Sequence, residues 1–590
     1  PDALQFAARS GVGFDLPMAE LKRYRQLKSK TPGHPEHFVT PGVEITTGPL
    51  GQGISTAVGV ALAEAHLAAT YNRPGHQIVD HYTYVIASDG DLMEGVSSEA
   101  SSLAGHWGLG KLIVLYDDNN ITIDGGTDIT FTEDVLGRYE AYHWHTQRVE
   151  DGNDVEAISR AIEAAKAETG RPSIIAVRSI IGYGSPKKQG TSDAHGSVLG
   201  PDEAKATKEN LGIDWPEFTV PDDVLAHYRE ATARGKEAEA EWQGRYDLYK
   251  AEFPELAKQF ETALAGETDE DVEELVPHFE VGGKSVTRVA SGKIVNALAE
   301  RFPQLVGGSA DLAKSNNTKL EGSHYLTRDD YSGRNIAFGV REHGMAAIAN
   351  GLSLHGGVKP FVATFLVFAD YLRPALRLSA LMDQPVVYAF THDSIGLGGD
   401  GPTHQPIAVL TALRALPKLA VIRPADANET AQAWAFAMTS KTPVAFALSR
   451  QDLPHLEIPK GSVKRGGYVL ADSDGLPDLI LIATGSEVSI SLGAKELLEG
   501  EGHKVRVVSM PSTNLFDEQD DAYRESVLPK GVRKRVAVEA GATLGWYKYV
   551  GLDGLVVGLD RFGESADGDE LMKYFGFTAE NVAEQARKLL

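Results

Sequence analysis

The feature that most constrains this chain is an alternation. Short, almost wholly apolar runs recur along it, each followed by a Gly- and Ala-rich segment with helical character. Runs of that kind are strands buried on both faces, and their alternation with helices predicts parallel sheets with helices packed against them. TYVIAS, KLIVLY and PSIIAVRSII form a first group. QLVGG, NIAFGV, PVVYAF, LAVIRP and PVAFALS form a second, between residues 285 and 454. LILIATG, KVRVVSMP, RVAVEAG and LVVGLD form a third, from about residue 460. Residues 201–281 are polar and charged, with stretches such as GKEAEAEWQGRYDLYKAEF that read as a helical connector. With 590 residues the chain exceeds what one core can organise. The expected fold class is α/β, three domains of mostly parallel sheets flanked by helices, at 1–265 (connector included), 266–455 and 456–590.

Composition removes several function classes. The chain has no cysteine, which excludes a disulfide scaffold, a thiol nucleophile and thiolate metal sites, and suits a reducing cytoplasm. A net charge of −25 argues against nucleic-acid and anionic-membrane partners. No apolar run reaches the length of a membrane span, and the opening PDALQFAARSG lacks the pattern of a secretory signal. The glycine-rich turns fit no dinucleotide fingerprint.

Chemistry concentrates in a few strings. VIASDGDLMEG places Asp89 just past one predicted strand, and LYDDNNITIDG places Asn119 just past the next, thirty residues on. Consecutive strands of a parallel sheet end on one edge, so both side chains can face one ligand. A carboxylate, an amide oxygen and a backbone carbonyl form a hard oxygen set suited to Mg²⁺ or Ca²⁺, completed by diphosphate oxygens. Asp and Asn are also ordinary turn residues, so either loop alone says little. In PFVATFLVFADYLRPA, Phe365, Phe368 and Tyr371 stand at i, i+3 and i+6, roughly one face of a helix or tight turn. They form either a core stripe or a stacking wall for a flat ring.

An acidic Asp-Gly turn followed about thirty residues later by Asn-Asn resembles the signature of thiamine-diphosphate enzymes, with Ser88 where the leading glycine usually stands. SKTPGHPE (29–36), TTGPLGQG (46–53), SDAHGSVLG (192–200), NIAFGVREHGM (335–345) and GGDGPTHQP (398–406) resemble transketolase segments, and the resemblance runs from about residue 13 to the C-terminus. It implies two thiamine-diphosphate-binding domains, one for diphosphate and metal and one for the pyrimidine ring, followed by a C-terminal α/β domain. The implied metal ligands are Asp89, Asn119 and the carbonyl of Ile121, holding Mg²⁺, with Ca²⁺ or Mn²⁺ as alternatives. The implied cofactor contacts are Gly48, Pro49, Leu50, Asp89, Gly90, Glu94, Asn119, His195, Asp311, Glu342, Phe365, Phe368 and Tyr371. Glu94 and Glu99 match acidic residues that link two active sites across a dimer interface.

The same resemblance assigns catalysis to Glu342, His404, His195 and His34, with Glu342 shifting the cofactor pyrimidine towards its imino form. It places His34, His195, Arg288, Ser315, His392, Asp400, His404 and Arg450 against substrate. Arginine offers phosphate a planar fork of donors, and Ser and His add directional bonds. The implied activity is reversible transfer of a two-carbon ketol unit through a thiamine diphosphate carbanion. The donor is xylulose 5-phosphate and the acceptors are ribose 5-phosphate or erythrose 4-phosphate, within the pentose phosphate pathway. The implied assembly is a cytoplasmic homodimer with active sites at the subunit interface. Deoxyxylulose-phosphate synthase, dihydroxyacetone synthase and a catalytically inert relative are the alternatives. Family members carry earlier SGHPG-like and GHGS-like strings that do not occur here, so their histidines are expected either to precede residue 1 or to be lacking.

Overall fold

A computed structural model of the chain describes residues 8–266, 268 and 270–590. The first seven residues, part of the opening PDALQFAARSG, lie outside them. Two compact units emerge. One comprises the chain up to residue 265 with 327–332 and 347–357, and the other comprises 266–326, 333–346 and 358–590.

In the first unit, strands β1 (Thr83–Ser88), β2 (Leu112–Asp118), β3 (His145–Val149) and β4 (Ser173–Arg178) form a parallel sheet in the order β1-β2-β4-β3. Helices α1 (Gln52–Tyr71), α2 (Asp89–Met93), α3 (Gly95–Trp107) and α4 (Val155–Ala167) accompany it. Ser88 pairs with Asp117, so β1 and β2 release their chains at the same edge. The predicted connector is helical over Pro201–Asn210, Asp222–Glu252 and Pro254–Ala265.

Helix α1 departs from the sequence expectation, since its length and hydropathy would allow it to cross a membrane. Most of it is instead buried inside the unit. It crosses helix α5 (Glu342–His355) backbone to backbone. A Cβ on Gly59 would overlap the Ile348 carbonyl, and one on Gly351 would overlap the Thr56 carbonyl. Only glycine permits that approach.

The second unit holds two large sheets and a small antiparallel pair, Lys284–Val286 with Asp452–Pro454. Strands β5 (Leu305–Ser309), β6 (Asn335–Ala337), β7 (Lys359–Phe365), β8 (Val387–Thr391), β9 (Ala420–Ile422) and β10 (Val444–Leu448) are all parallel, in the order β9-β10-β8-β7-β5-β6. Strands β11 (Tyr468–Ala471), β12 (Leu479–Ala483), β13 (Val505–Ser509), β14 (Arg535–Val538) and β15 (Leu555–Val557) lie in the order β11-β13-β12-β14-β15, with only β11 antiparallel. The expected fold class is therefore met, with two corrections of detail. HTQRV is a strand that its polar composition hides. The run carrying Phe365, Phe368 and Tyr371 is not one helical face, because β7 ends at Phe365, a 3₁₀ turn covers Leu366–Phe368 and a helix follows over Ala369–Leu381.

A buried ion cluster ties these two sheets together. Arg423, just past β9, is fully buried. Its Nε donates to Asp393, past β8, at 2.8 Å. Its Nη1 pairs with Glu487, at the start of helix α6 (Glu487–Gly500), and lies 3.7 Å from Glu539, past β14. Arg414 and the Trp546 indole also bond Glu539, at 2.8 and 2.7 Å.

The glycine crossing yields a stability prediction. Gly351→Val forces α1 and α5 apart and should cost at least ~1–3 kcal/mol, the usual range for overpacking. Thermal melting monitored by circular dichroism should show the fall, and an unchanged melting temperature would contradict the close crossing.

Candidate active site

Many of the residues singled out from the sequence fall into two groups, one in each unit. In the first unit the turn before α1 packs on α2 and the residue after it, just past β1. A Cβ on Gly90 would lie 3.0 Å from Leu50 Cδ1, one on Gly51 would lie 2.7 Å from Glu94 Cβ, and one on Gly48 would lie 3.4 Å from the His34 side chain. Gly51 has φ +75°, a conformation that disfavours any other residue. Its N–H donates to Asp91 Oδ1 at 2.9 Å.

Ser88 has φ −116°, so the position ordinarily held by glycine has no need of one here. The serine also contributes a capping box: its backbone N–H and hydroxyl both donate to Asp91 Oδ2 at 2.9 Å. Asp91 thereby holds both loops in shape. It was not among the predicted residues, although the Ser-x-x-Asp spacing that encodes the box is legible.

Asp89 is buried. Its Oδ1 accepts from the Tyr116 hydroxyl, while its Oδ2 is buried with no partner among the described residues. Burial pushes its carboxyl above the usual range, partly offset by the Tyr116 hydroxyl. Asn119 Oδ1 accepts from the Ile121 N–H at 2.9 Å. No cluster of three His, Cys, Asp or Glu side chains able to hold a metal exists among the described residues. A cation here must therefore use Asp89 with amide, carbonyl and ligand oxygens, a set that suits a hard divalent ion. The unpartnered Asp89 Oδ2 fits that use. Glu94 is exposed and Glu99 is half-buried. His195 is exposed at the end of the Ser192–Ala194 turn, and no described contact joins it to the Asp89 or Gly48 loops.

In the second unit, Arg288, Ser315, Phe365, His392, Asp400, His404 and Arg450 line one cavity of about 320 Å³. Arg288 extends from the helix Thr287–Arg301 and donates through Nη1 to the Ser315 carbonyl, while its Nε is buried without a partner among the described residues. Burial and the neighbouring Arg450 both lower its pKa. Arg450 follows β10 and donates to the Leu397 carbonyl. His392 is buried in a left-handed conformation, φ +61°, with its ring centroid 3.8 Å from that of Phe365. Burial, then Arg288, Arg450 and His404, push its pKa down to about 3, so the ring is neutral at physiological pH. A cavity with two guanidinium groups and a buried donor left open is built for an anion.

The aromatic residues remain neighbours despite the break in secondary structure. Phe365 and Phe368 stack at 6.0 Å, Phe368 and Tyr371 at 5.9 Å, and His404 stands edge-on to Phe368 at 5.5 Å. Glu342 opens α5, and burial raises its carboxyl above the usual range. Asp311 is exposed with φ +60° and does not line the cavity.

Comparison with known proteins agrees across the chain. Residues 2–269 match the transketolase thiamine diphosphate binding domain, 284–455 the transketolase pyrimidine binding domain, and 466–578 the transketolase-like C-terminal domain. The chain is 55% identical to a transketolase of Halalkalibacterium halodurans over 98% of its own length and 88% of the relative's. It is 52% identical to one of Geobacillus stearothermophilus over the same shares. The Leishmania mexicana transketolase structure superposes with a TM-score of 0.96 at 46% identity, covering 99% of this chain and 87% of that one. A Pichia stipitis transketolase solved with sedoheptulose 7-phosphate gives the same values.

The capping box makes a local prediction. Ser88→Ala removes one of the two bonds to Asp91 Oδ2 and should cost ~1 kcal/mol. Differential scanning calorimetry would register it, and Ser88→Thr should recover most of the loss.

Proposed function

The chain belongs to the transketolase family, and from that premise we propose how its own residues divide the work of ketol transfer. It is a transferase of ketol groups, and its domain matches indicate thiamine diphosphate as cofactor. When bound, that cofactor supplies a carbon nucleophile and an electron sink.

The observation that carries the reading is the cationic cavity of the second unit. Arg288, Ser315, His392 and Arg450 hold the distal phosphate of a sugar. A dianion there relieves the mutual repulsion of the two guanidinium groups and gives the buried Arg288 Nε an acceptor. The donor sugar is xylulose 5-phosphate, and ribose 5-phosphate or erythrose 4-phosphate accepts the transferred unit. Asp400 reads a sugar hydroxyl, and His404 holds or moves a proton at the reacting oxygen. His34 and His195 add contacts to substrate.

Glu342, its carboxyl raised by burial, holds a proton for a ring nitrogen of the cofactor, and Phe365, Phe368 and Tyr371 provide the wall beside that ring. Gly48, Pro49, Leu50, Gly90, Glu94 and Asp311 complete the cofactor contacts. Asp89, Asn119 and the Ile121 carbonyl hold the divalent cation, Mg²⁺ by preference. The diphosphate and metal domain spans 1–265, the pyrimidine domain 266–455 and the C-terminal domain 456–590. We assign the working form to a cytoplasmic homodimer in which one subunit's diphosphate domain serves its partner's pyrimidine domain, with Glu94 and Glu99 at the contact.

The test is formation of sedoheptulose 7-phosphate from xylulose 5-phosphate and ribose 5-phosphate with thiamine diphosphate and Mg²⁺. Glu342→Ala should lower the rate by at least ~10²-fold, the smaller end of a proton-transfer contribution, while calorimetric cofactor–metal binding persists. Near-normal turnover in that variant would remove Glu342 from the mechanism. Arg288→Met should raise KM for phosphorylated substrates by roughly 10–100-fold, the worth of a charged hydrogen bond. Unchanged KM values would refute the phosphate assignment.

A further inference from the structure

Behind the cavity wall, two buried polar side chains, Asn316 and Thr391, lead to the ring of His392. The Asn316 side chain has one atom 3.1 Å from the Thr364 carbonyl oxygen and 2.8 Å from Thr391 Oγ1. A carbonyl oxygen only accepts, so that atom is the amide nitrogen Nδ2, and its two hydrogens serve the two partners. Thr391 Oγ1 is thereby an acceptor, and its own hydrogen must go elsewhere. Its other partner among the described residues is His392 Nδ1, at 2.8 Å.

Thr391 and Asn316 are both buried, at 0% and 1% exposure, so water offers no alternative. Were Nδ1 protonated, the Thr391 oxygen would face two donors and its hydrogen would be buried without an acceptor, an arrangement that proteins avoid. The unprotonated Nδ1 instead completes a chain running from Asn316 through Thr391 to His392. The ring is neutral, because its burial beside two arginines excludes a second proton. Its single proton therefore sits on Nε2.

We propose that Asn316 and Thr391 are positioning residues that hold His392 in the Nε2–H tautomer, making it a hydrogen-bond donor to the substrate phosphate. This rests on the reading of the Arg288–Arg450 cavity as the phosphate site. The tautomer matters because a dianionic phosphate is acceptor-only. The opposite form would aim a nitrogen lone pair at a phosphate oxygen and turn attraction into repulsion. The left-handed backbone at His392 and the bond from Arg423 to Asp393 hold the ring's position, while the relay sets its proton.

The experiment compares Thr391→Val, Thr391→Ser, His392→Ala and the parent, each as holoenzyme. KM and kcat are measured with a phosphorylated ketose donor and with the same ketose lacking its phosphate. Thr391→Val keeps the shape and loses the relay. It should raise KM for the phosphorylated donor about tenfold, the effect of one lost hydrogen bond to a charged group. KM for the unphosphorylated donor and kcat for both should hold, and Thr391→Ser should restore the parent value. If His392→Ala raises the phosphorylated KM and Thr391→Val does not, the relay is overturned and the phosphate site stands. If His392→Ala leaves both KM values unchanged, the phosphate reading of His392 fails and the relay falls with it. Equal losses on both donors, or failure of Thr391→Ser to rescue, would assign Thr391 a merely structural role and overturn the proposal.

Discussion

Arg423 is the interaction on which the second unit depends. A guanidinium with no exposure to water is costly unless every side of it is answered, and here Asp393, Glu487 and Glu539 answer from three separate strand ends. The carboxylates are equally committed, since without the cation three buried negative charges would face one another. Arg414 and the Trp546 indole share the load at Glu539, whose own burial would otherwise push its pKa up. A cluster that only works when complete rewards one packing of the β5–β10 sheet against the β11–β15 sheet. It also fixes the segment that follows β8, and that segment carries His392 and Asp393 side by side.

The cavity illustrates how little net charge says about a site. The chain carries −25 overall, yet two arginines stand together around this cavity, and burial first, then these two charges, depress the basicity of His392. Their positive potential acts over a few ångströms in a partly dry enclosure, where the acidic surface is screened and distant. Acidity outside and a cationic site inside are therefore compatible. The exterior favours solubility, while the cavity is suited to an anion.

Much of this architecture is legible in the sequence because strands buried on both faces must be continuously apolar. PVAFALS and LILIATG could be little else. HTQRV escapes because β3 is an edge strand, only partly buried, and its composition follows its setting. KPFVATF escapes for a different reason. Pro360 argues against a central strand, and the apolar run continues through Phe365 into the next helix with no polar break to mark the change of period. At the site, sequence strings brought the cavity-lining residues into view, but the supporting groups stayed hidden. Tyr116 and Asn316 reach their partners only through strand register and tertiary packing, which no local spacing encodes. The left-handed turn at His392 is equally silent in a string that contains no glycine at that position.

The bonds that Asp91 makes to Ser88 and to Gly51 carry a consequence of their own. One of its oxygens gathers the Ser88 backbone and hydroxyl, and the other draws in the backbone of Gly51. The protein's own atoms thus shape this segment in advance, so a ligand bound there would cost it little conformational entropy. A cation bound there, as proposed above, would meet a frame already formed and would not wait on its rearrangement.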